Sequence, residues 1–360
     1  MTIDILSKSK SILEEFSNQM ESKYRYDSTI EIDEECIAKN ISKSLENGQR
    51  SFLDSEITLT ELTEALKMMK KGKTPGSNGF PVEFFRKFWH EIGPFLHRAF
   101  NASLTQNEKL ISHREGIIKM IPKPGKSPHE FKGWRPITLM NVDYKIISSV
   151  IANRLKGVID QLISPCQTAY ISGRYIGENT RLLFDTLIQA RDENINGLIA
   201  AADFEAAFES VSWEYLTCVM EKMNFGSKFL KMINLLYLNT NNYSRIMING
   251  HLGQKISLNR GIRQGDPASG YLFNIAVEVL AGIINNSSSL KGINVTSRKE
   301  VRISQYADDT ILFLDGTTES LRGALTELSQ FARMSGLKVN LSKTSCLPIG
   351  KLTRNDIAAN

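Results

Sequence analysis

Two common sources of function are missing from this sequence. Its four cysteines, Cys36, Cys166, Cys218 and Cys346, are scattered through 360 residues with no C-x-x-C spacing. That excludes a readable disulfide framework or zinc site and leaves buried, reduced thiols as the expectation. Long apolar runs are missing as well. Residues 1–8 contain no stretch that would serve as a signal peptide, and the most apolar helical segment is interrupted by Asn274 and Glu278. We therefore expect an intracellular protein with no membrane partner. No charged or low-complexity tract dominates: with 41% hydrophobic and 23% charged residues the chain has the balance of a folded globular protein, which excludes disorder.

Net charge is small, +5, too little by itself to mark a nucleic-acid binder. Its placement is more informative. Between positions 109 and 135 stand seven basic residues (Lys109, Arg114, Lys119, Lys123, Lys126, Lys132, Arg135) against Glu115 and Glu130, so one segment equals the whole formal excess.

The stretch 301–314, VRISQYADDTILFL, sets two apolar runs around Asp308 and Asp309. Asp is poorly tolerated inside a strand, so the pair is expected at the turn of a β-hairpin. An inert surface turn is one reading, since Asp is common in turns for local reasons. The other is a cation site. Adjacent carboxylates offer oxygen ligands only, which suits Mg²⁺, an ion that takes one or two carboxylates and leaves the rest of its shell to water and phosphate.

The rest of the chain reads in order as follows. Residues 5–24 have a helical but strongly polar pattern and 31–35 read as an acidic linker; neither suggests a function. Thr58 and Glu61 form a capping box, and Leu59, Leu62, Leu66 and Met69 give a helical stripe that ends at Gly72. The following loop, 70–79, carries Lys70, Lys71 and Lys73 among glycines. Those lysines either complement a helix C-terminus or lie along a phosphate backbone.

Helices are expected around 81–89 and 94–104, then a strand over 116–123 with Lys119, Ile121 and Lys123 on one face. A turn at 124–126 and a return over 134–139, carrying Arg135, complete a basic flap. Lysines on such an edge either keep it from pairing with another chain or, with Arg, grip a triphosphate. A helix is expected over 143–162, a loop over 167–174, a helix over 179–191, and a short buried strand over 197–203 ending in Asp203. A rigid strand end is a good place to hold a metal ligand. After a helix at 213–224, Asn249-Gly250 marks a hairpin within 243–259. An Arg/Gly loop at 260–267, an apolar helix at 271–284, the acidic hairpin, a helix at 318–335 and the segment 336–344 complete the order.

Taken together, Asp203 to Phe208, the run Arg263-Gln264-Gly265-Asp266-Pro267, Tyr306-Ala307-Asp308-Asp309 and the segment 336–343 resemble the palm motifs of reverse transcriptases. Upstream, the stretches 121–126 and 134–137 and the loop 167–174 look like the fingers of the non-long-terminal-repeat (LINE-type) retrotransposon class. The run 73–89 is similar to that class's N-terminal extension. The resemblance implies an α+β right-hand polymerase fold with fingers and an RRM-like βαββαβ palm, the thumb missing or truncated. Its parts would be an N-terminal helical and linker region (1–57), the N-terminal extension (58–108), fingers (109–197), palm (198–350) and the truncated start of a thumb (351–360).

The resemblance also implies site roles. Asp203 and Asp308 would bridge two Mg²⁺ ions, with Mn²⁺ as the alternative, and Asp309 would support them. Lys343 would protonate pyrophosphate, although a solvated loop lysine reads the same way in sequence. Arg135 with Lys123 or Lys119 would hold the triphosphate. Gln264 and Gly265 would line the nucleotide site, Phe208 would exclude a 2′-hydroxyl, and Lys70, Lys71, Lys73 and Arg174 would contact nucleic acid. Its partners would be an RNA template, a DNA primer and dNTPs, in the nucleus or a cytoplasmic ribonucleoprotein.

The chain departs from the family pattern in places: Ala206-Ala207-Phe208-Glu209 stands where Lys-Ala-Phe-Asp is usual, Asn78 where Asp is common, and Ala268 and Gly270 where Leu and Pro are usual. A maturase-like RNA-binding module is the competing class, but an unused carboxylate cluster would weaken a binder's grip on phosphate, which favours the enzyme. Ala307 before the acidic pair and the bulky Phe208 argue against an RNA-dependent RNA polymerase.

Overall fold

The computed structural model describes residues 9–238, 242–296 and 299–352. Ile5 and Leu6 of the expected first helix, and most of the segment expected to open a thumb, lie outside the described residues.

Four helices open the chain: α1 (Ser9–Tyr24), α2 (Glu34–Asn40), α3 (Asn47–Leu53) and α4 (Leu59–Met68). The capping box is formed as read, the Thr58 hydroxyl accepting from the Glu61 N–H at 3.2 Å and the Glu61 carboxylate from the Thr58 N–H at 2.9 Å. Such a cap stabilises a helix by about 1 kcal/mol. The acidic stretch expected as linker corrects to a helix start, because the Asp33 carboxylate accepts from the Cys36 N–H and Ile37 is fully buried.

Next come α5 (Val82–Lys87), α6 (Trp89–Gln106), β1 (Glu115–Pro122) and β2 (Trp134–Leu139). The single helix expected over 143–162 is two, α7 (Val142–Lys156) and α8 (Ile159–Leu162). The break falls at Gly157, where helix propensity is low. After α9 (Ile176–Asp192) and β3 (Gly197–Ala202) come α10 (Ala207–Ser210), α11 (Trp213–Lys222) and α12 (Ser227–Ile233). Strands β4 (Tyr243–Ile248), β5 (His251–Leu252) and β6 (Ile256–Ser257) precede α13 (Ser269–Asn286). The chain continues with β7 (Ile293–Thr296), β8 (Lys299–Val301), β9 (Ile303–Tyr306), β10 (Asp309–Leu314), α14 (Thr318–Ser335) and β11 (Ser345–Ile349).

Helices and two main sheets make this an α+β chain. The first sheet has the order β2-β1-β4-β5, with β6 also paired to β4. Strand β1 is antiparallel to β2, setting Ile121 opposite Arg135, and parallel to β4, far downstream in sequence. The polar first helix is no bystander to this sheet. Leu13, Phe16, Met20 and Tyr24 of α1 form a core with Ile118, Met120, Ile246, Ile256 and Leu258.

The second sheet has the order β11-β3-β10-β9, all neighbours antiparallel. Numbered among themselves its strands run 4-1-3-2, with α13 between the first two and α14 between the last two, the split β-α-β-β-α-β arrangement. Side chains alternate across it. Leu198, Ala200, Leu312 and Leu314 enter the main core beside the helices, while Ile199, Phe313 and Ile349 pack with Ala190 of α9 and the β7–β8 hairpin.

Candidate active site

Residue parity fixes where the carboxylates go. In the β3–β10 ladder Ala202 lies opposite Thr310, and one further step of that register sets Asp203 opposite Asp309. Asp203 continues the Ile199–Ala201 side of its strand, away from the main core. Asp308 occupies the β9–β10 turn as expected, preceded by Ala307 at φ 54°. A left-handed backbone is uncommon outside glycine and signals a turn held in place by its surroundings.

The acidic groups feel one another. Burial pushes the Asp308 carboxyl up from its ordinary value and Asp203 pushes it further, with Arg135 and Lys343 opposing. Asp309 is raised by burial, then by Asp308 and Asp203. Lys343 reaches the same place because residues 338–344 run beside 203–205: Glu205 N–H donates to the Lys338 carbonyl and Asn340 N–H to the Asp203 carbonyl. Lys343 Nζ then donates to Asp203 Oδ2 at 2.8 Å. Both side chains are substantially exposed, so this pair contributes little to stability.

The basic flap is the β1–β2 hairpin. Lys119 and Arg135 are exposed on it, and Lys123 is half-buried, donating to the Lys132 carbonyl at 3.1 Å. Burial lowers the Lys123 ammonium, followed by repulsion from Lys343, Lys23 and Arg135, while Asp203 opposes. Four positive side chains, Lys123, Lys343, Lys23 and Arg135, thus share one electrostatic neighbourhood with the Asp203 carboxylate. The loop 263–268 closes onto β2, the Gln264 carbonyl accepting from Thr138 N–H at 3.0 Å. Gly265 adopts φ 105° there, and a Cβ would come within 3.1 Å of the Thr138 carbonyl. Beneath, buried Asp266 accepts from the Tyr144 and Tyr237 hydroxyls at 2.5 Å each, from Ser148, and from Ala268 N–H at 3.0 Å. Asp266 thereby fixes the loop.

Phe208 is half-buried and stacks on Phe273 of α13, ring centroids 4.6 Å apart. Lys70, Lys71 and Lys73 are exposed on a loop that the Asn141 carboxamide anchors through Asn78 N–H, just beyond β2. The structure does not bring them to the carboxylates. Arg174 corrects the sequence reading. Its two terminal nitrogens donate to the carbonyls of Ser164, Gln167, Asp160 and Ile163 and to the Asp160 carboxylate, so these donors brace its own loop.

Three residues at this site went without a role in the sequence. Gln167 reaches the backbone of the acidic turn. Tyr170 has its phenol raised by burial, then by Asp308 and Tyr306, and its ring covers Gly270, where a Cβ would come within 2.6 Å. That contact accounts for glycine in place of the usual proline. Buried Glu209 is raised by burial, an effect that Lys23 opposes and Asp308 reinforces. Only the Tyr170-to-Gly270 match was foreshadowed, by the departure at Gly270.

Asp203, Asp308 and Asp309 offer carboxylate oxygens only, the donor type that suits a hard cation. Among the described residues no group of three or more His, Cys, Asp or Glu side chains is placed to hold a metal ion. An ion held by one or two carboxylates would complete its shell with phosphate and water.

Residues 121–349 match the family model described as "Reverse transcriptase (RNA-dependent DNA polymerase)". The chain is 33% identical over 306 residues to the transposon TX1 uncharacterized 149 kDa protein of Xenopus laevis, covering 84% of this chain and 23% of that protein. It is 25% identical over 233 residues to a Pol polyprotein from the type-1 retrotransposable element R2 of Popillia japonica, covering 64% and 31% of the two chains. Against the RNA-directed DNA polymerase from mobile element jockey of Drosophila melanogaster the identity is 21% over 338 residues, covering 92% and 36%. The chain spans only 23%, 31% and 36% of the length of these relatives. With a family match over more than half the chain, on a sheet that sets Asp203 against the acidic hairpin, this chain belongs to the reverse transcriptase family, in its non-long-terminal-repeat, LINE-type branch.

Proposed function

We propose that this chain copies retrotransposon RNA into DNA, with RNA as template, a DNA primer and dNTPs as substrates, inside the cell in the nucleus or a cytoplasmic ribonucleoprotein. The observation that carries this reading is the β3–β10 register that sets Asp203 against Asp309, with Asp308 beside them at the turn and Arg135 and Lys123 across the gap. In it, the split β-α-β-β-α-β sheet is the palm, the β1–β2–β4 sheet belongs to the fingers, and residues 58–108 form an N-terminal extension. Strand β4 falls within 198–350 yet pairs with β1, so the fingers draw on two separate stretches of chain.

Asp203 and Asp308, with Asp309 in support, would hold two Mg²⁺ ions, or Mn²⁺ in their place, and such ions would supply the charge that acidifies a primer 3′-hydroxyl and stabilises leaving pyrophosphate. The chain's own residues do the rest. Arg135 takes two triphosphate oxygens through its planar fork while Lys119 and Lys123 add point charges. Lys343 holds a proton within reach of Asp203 and delivers it to pyrophosphate. Gln264 and Gly265, pinned on β2, shape the floor under the incoming base, and the lysines at 70, 71 and 73 track the template backbone. The test is primer extension with purified protein, an RNA template, dNTPs and Mg²⁺. Extension that needs both the RNA template and the metal supports the reading, and RNA binding with no extension would favour a maturase-like binding module.

Phe208 supplies a second test. Its ring is proposed to fill the volume a ribose 2′-hydroxyl needs, so Phe208→Ala should raise ribonucleotide incorporation relative to deoxyribonucleotide about 10-fold, ~1.4 kcal/mol of discrimination. Competing-substrate extension gives that ratio directly. An unchanged ratio would leave Phe208 as a packing partner of Phe273 alone.

A further inference from the structure

The loop before α9 is tied on two sides. Along β9, Gln305 N–H donates to the Cys166 carbonyl at 2.7 Å and Thr168 N–H to the Gln305 carbonyl at 3.1 Å, so the loop lies beside that strand like an added one. Towards α13, Asn274 donates to the Ala169 carbonyl at 2.7 Å and Glu278 accepts from Ser164 N–H at 2.9 Å. Gln167 sits between these ties with no exposed surface. Its Oε1 accepts from Ala307 N–H at 2.9 Å and Ala169 N–H at 3.0 Å, and its Nε2 donates to the Ala307 carbonyl at 3.1 Å. One carboxamide therefore pairs both backbone groups of the residue before Asp308.

The hairpin does not need this contact in order to form. Strands β9 and β10 already pair from Asp309 opposite Tyr306 to Leu312 opposite Ile303, and their apolar residues enter the two cores. What the strands leave open is the orientation of the turn. Ala307 is left-handed there, at a cost of about 1 kcal/mol for a residue with a Cβ, and a small rotation of either flanking peptide would swing the next side chain.

We infer that Gln167 is a positioning residue for nucleotidyl transfer, its carboxamide locking the Ala307 peptides and so aiming the Asp308 carboxylate toward Asp203. This rests on Asp308 acting in the reaction proposed above. Glutamine suits the task because a single rigid amide offers a donor and an acceptor at once. Glu would keep the acceptor, lose the donor and add a second negative charge; Met would fill the same volume with neither.

The experiment compares Gln167→Met, Gln167→Glu and Asp308→Asn with wild type in primer extension, with active sites counted by titration with primer–template. Each protein is also measured for Tm and for primer–template Kd. The expected result for both Gln167 variants is a kcat at least about 30-fold lower per active site, with dNTP KM and primer–template Kd within about threefold and Tm within a few degrees. A residue that only supports the fold would instead lower Tm and the number of active sites and leave kcat per site unchanged, which would overturn the inference. So would failure of both variants to fold. If Asp308→Asn itself polymerises normally, the functional reading fails. If Asp308→Asn is inactive while Gln167→Met retains its kcat, only the positioning role fails.

Discussion

Asp308→Asn should lose at least about 100-fold in primer extension, ~2.7 kcal/mol of barrier, while the protein melts at the same temperature or higher at pH 7. Asn keeps the size of the side chain and removes the charge that the proposed reaction needs. The stability half of the expectation follows from the electrostatics. Burial and Asp203 hold the Asp308 carboxyl above its ordinary value, so the folded state binds that proton more tightly than the unfolded chain. Linkage then makes the ionised group a net penalty at neutral pH, present above the folded value and relieved as the pH falls through it. Asn removes the penalty outright. The Tm gain of the variant should therefore shrink as the pH is lowered through the raised folded value and be gone below the ordinary Asp value of 3.8. Asp203→Asn should match it in activity, with less gain in Tm because Asp203 already has Lys343 at 2.8 Å. Extension above about a tenth of wild type in either variant would remove that carboxylate from the chemistry.

These carboxylates were legible in the sequence because the features that place them are local. An acidic pair between two apolar runs can hardly be anything but a turn, and a short apolar run ending in Asp puts that Asp at a strand end. What brings the two together is a long-range register, which the sequence carries only as a family resemblance. Residues whose roles depend on remote partners were harder. Arg174 looks the same in sequence whether its donors meet phosphates or carbonyls, and here they meet carbonyls. The first helix looked too polar to matter, since four core side chains in sixteen residues make a thin stripe, yet that stripe covers the sheet formed by β1, β4 and β6. Its last turn also places Lys23 in the field of Glu209 and Lys343, where burial lowers the ammonium. Parallel pairing of β4 with β1 across more than a hundred residues leaves no local trace at all. Gln167 belongs to the same group, because a buried amide is defined by what packs over it.

Arg154→Met should destabilise the fold by about 3 kcal/mol or more, although Arg154 lies on α7 inside a broad apolar pattern and nowhere near the carboxylates. Its side chain is 2% exposed, and all five guanidinium donors are used. Nε and one terminal nitrogen grip Glu61 at 2.7 and 2.9 Å, and the remaining donors go to the carbonyls of Leu53, Ser55 and Glu56 between 2.7 and 2.9 Å. One side chain thus joins the end of α3, the linker and the capping box of α4 to α7. Removing it leaves three carbonyls without their donor and Glu61 with Thr58 alone, and breaking a buried pair from one side typically costs 3–5 kcal/mol. Burial pushes the Glu61 carboxyl up, but the Arg154 fork and Thr58 outweigh it and hold the carboxyl below its ordinary value. The stability this contributes is present above the ordinary value of 4.5 and is lost as the pH falls through the folded value. Arg154→Lys should recover little, since an ammonium has three donors and no planar fork. Thermal melts at pH 7 should show a loss of about 5 °C or more for Arg154→Met, narrowing in acid as Glu61 protonates. A change below about 1 °C would mean that the carbonyls of this linker find water when the guanidinium is gone, and that the capping box holds α4 on its own.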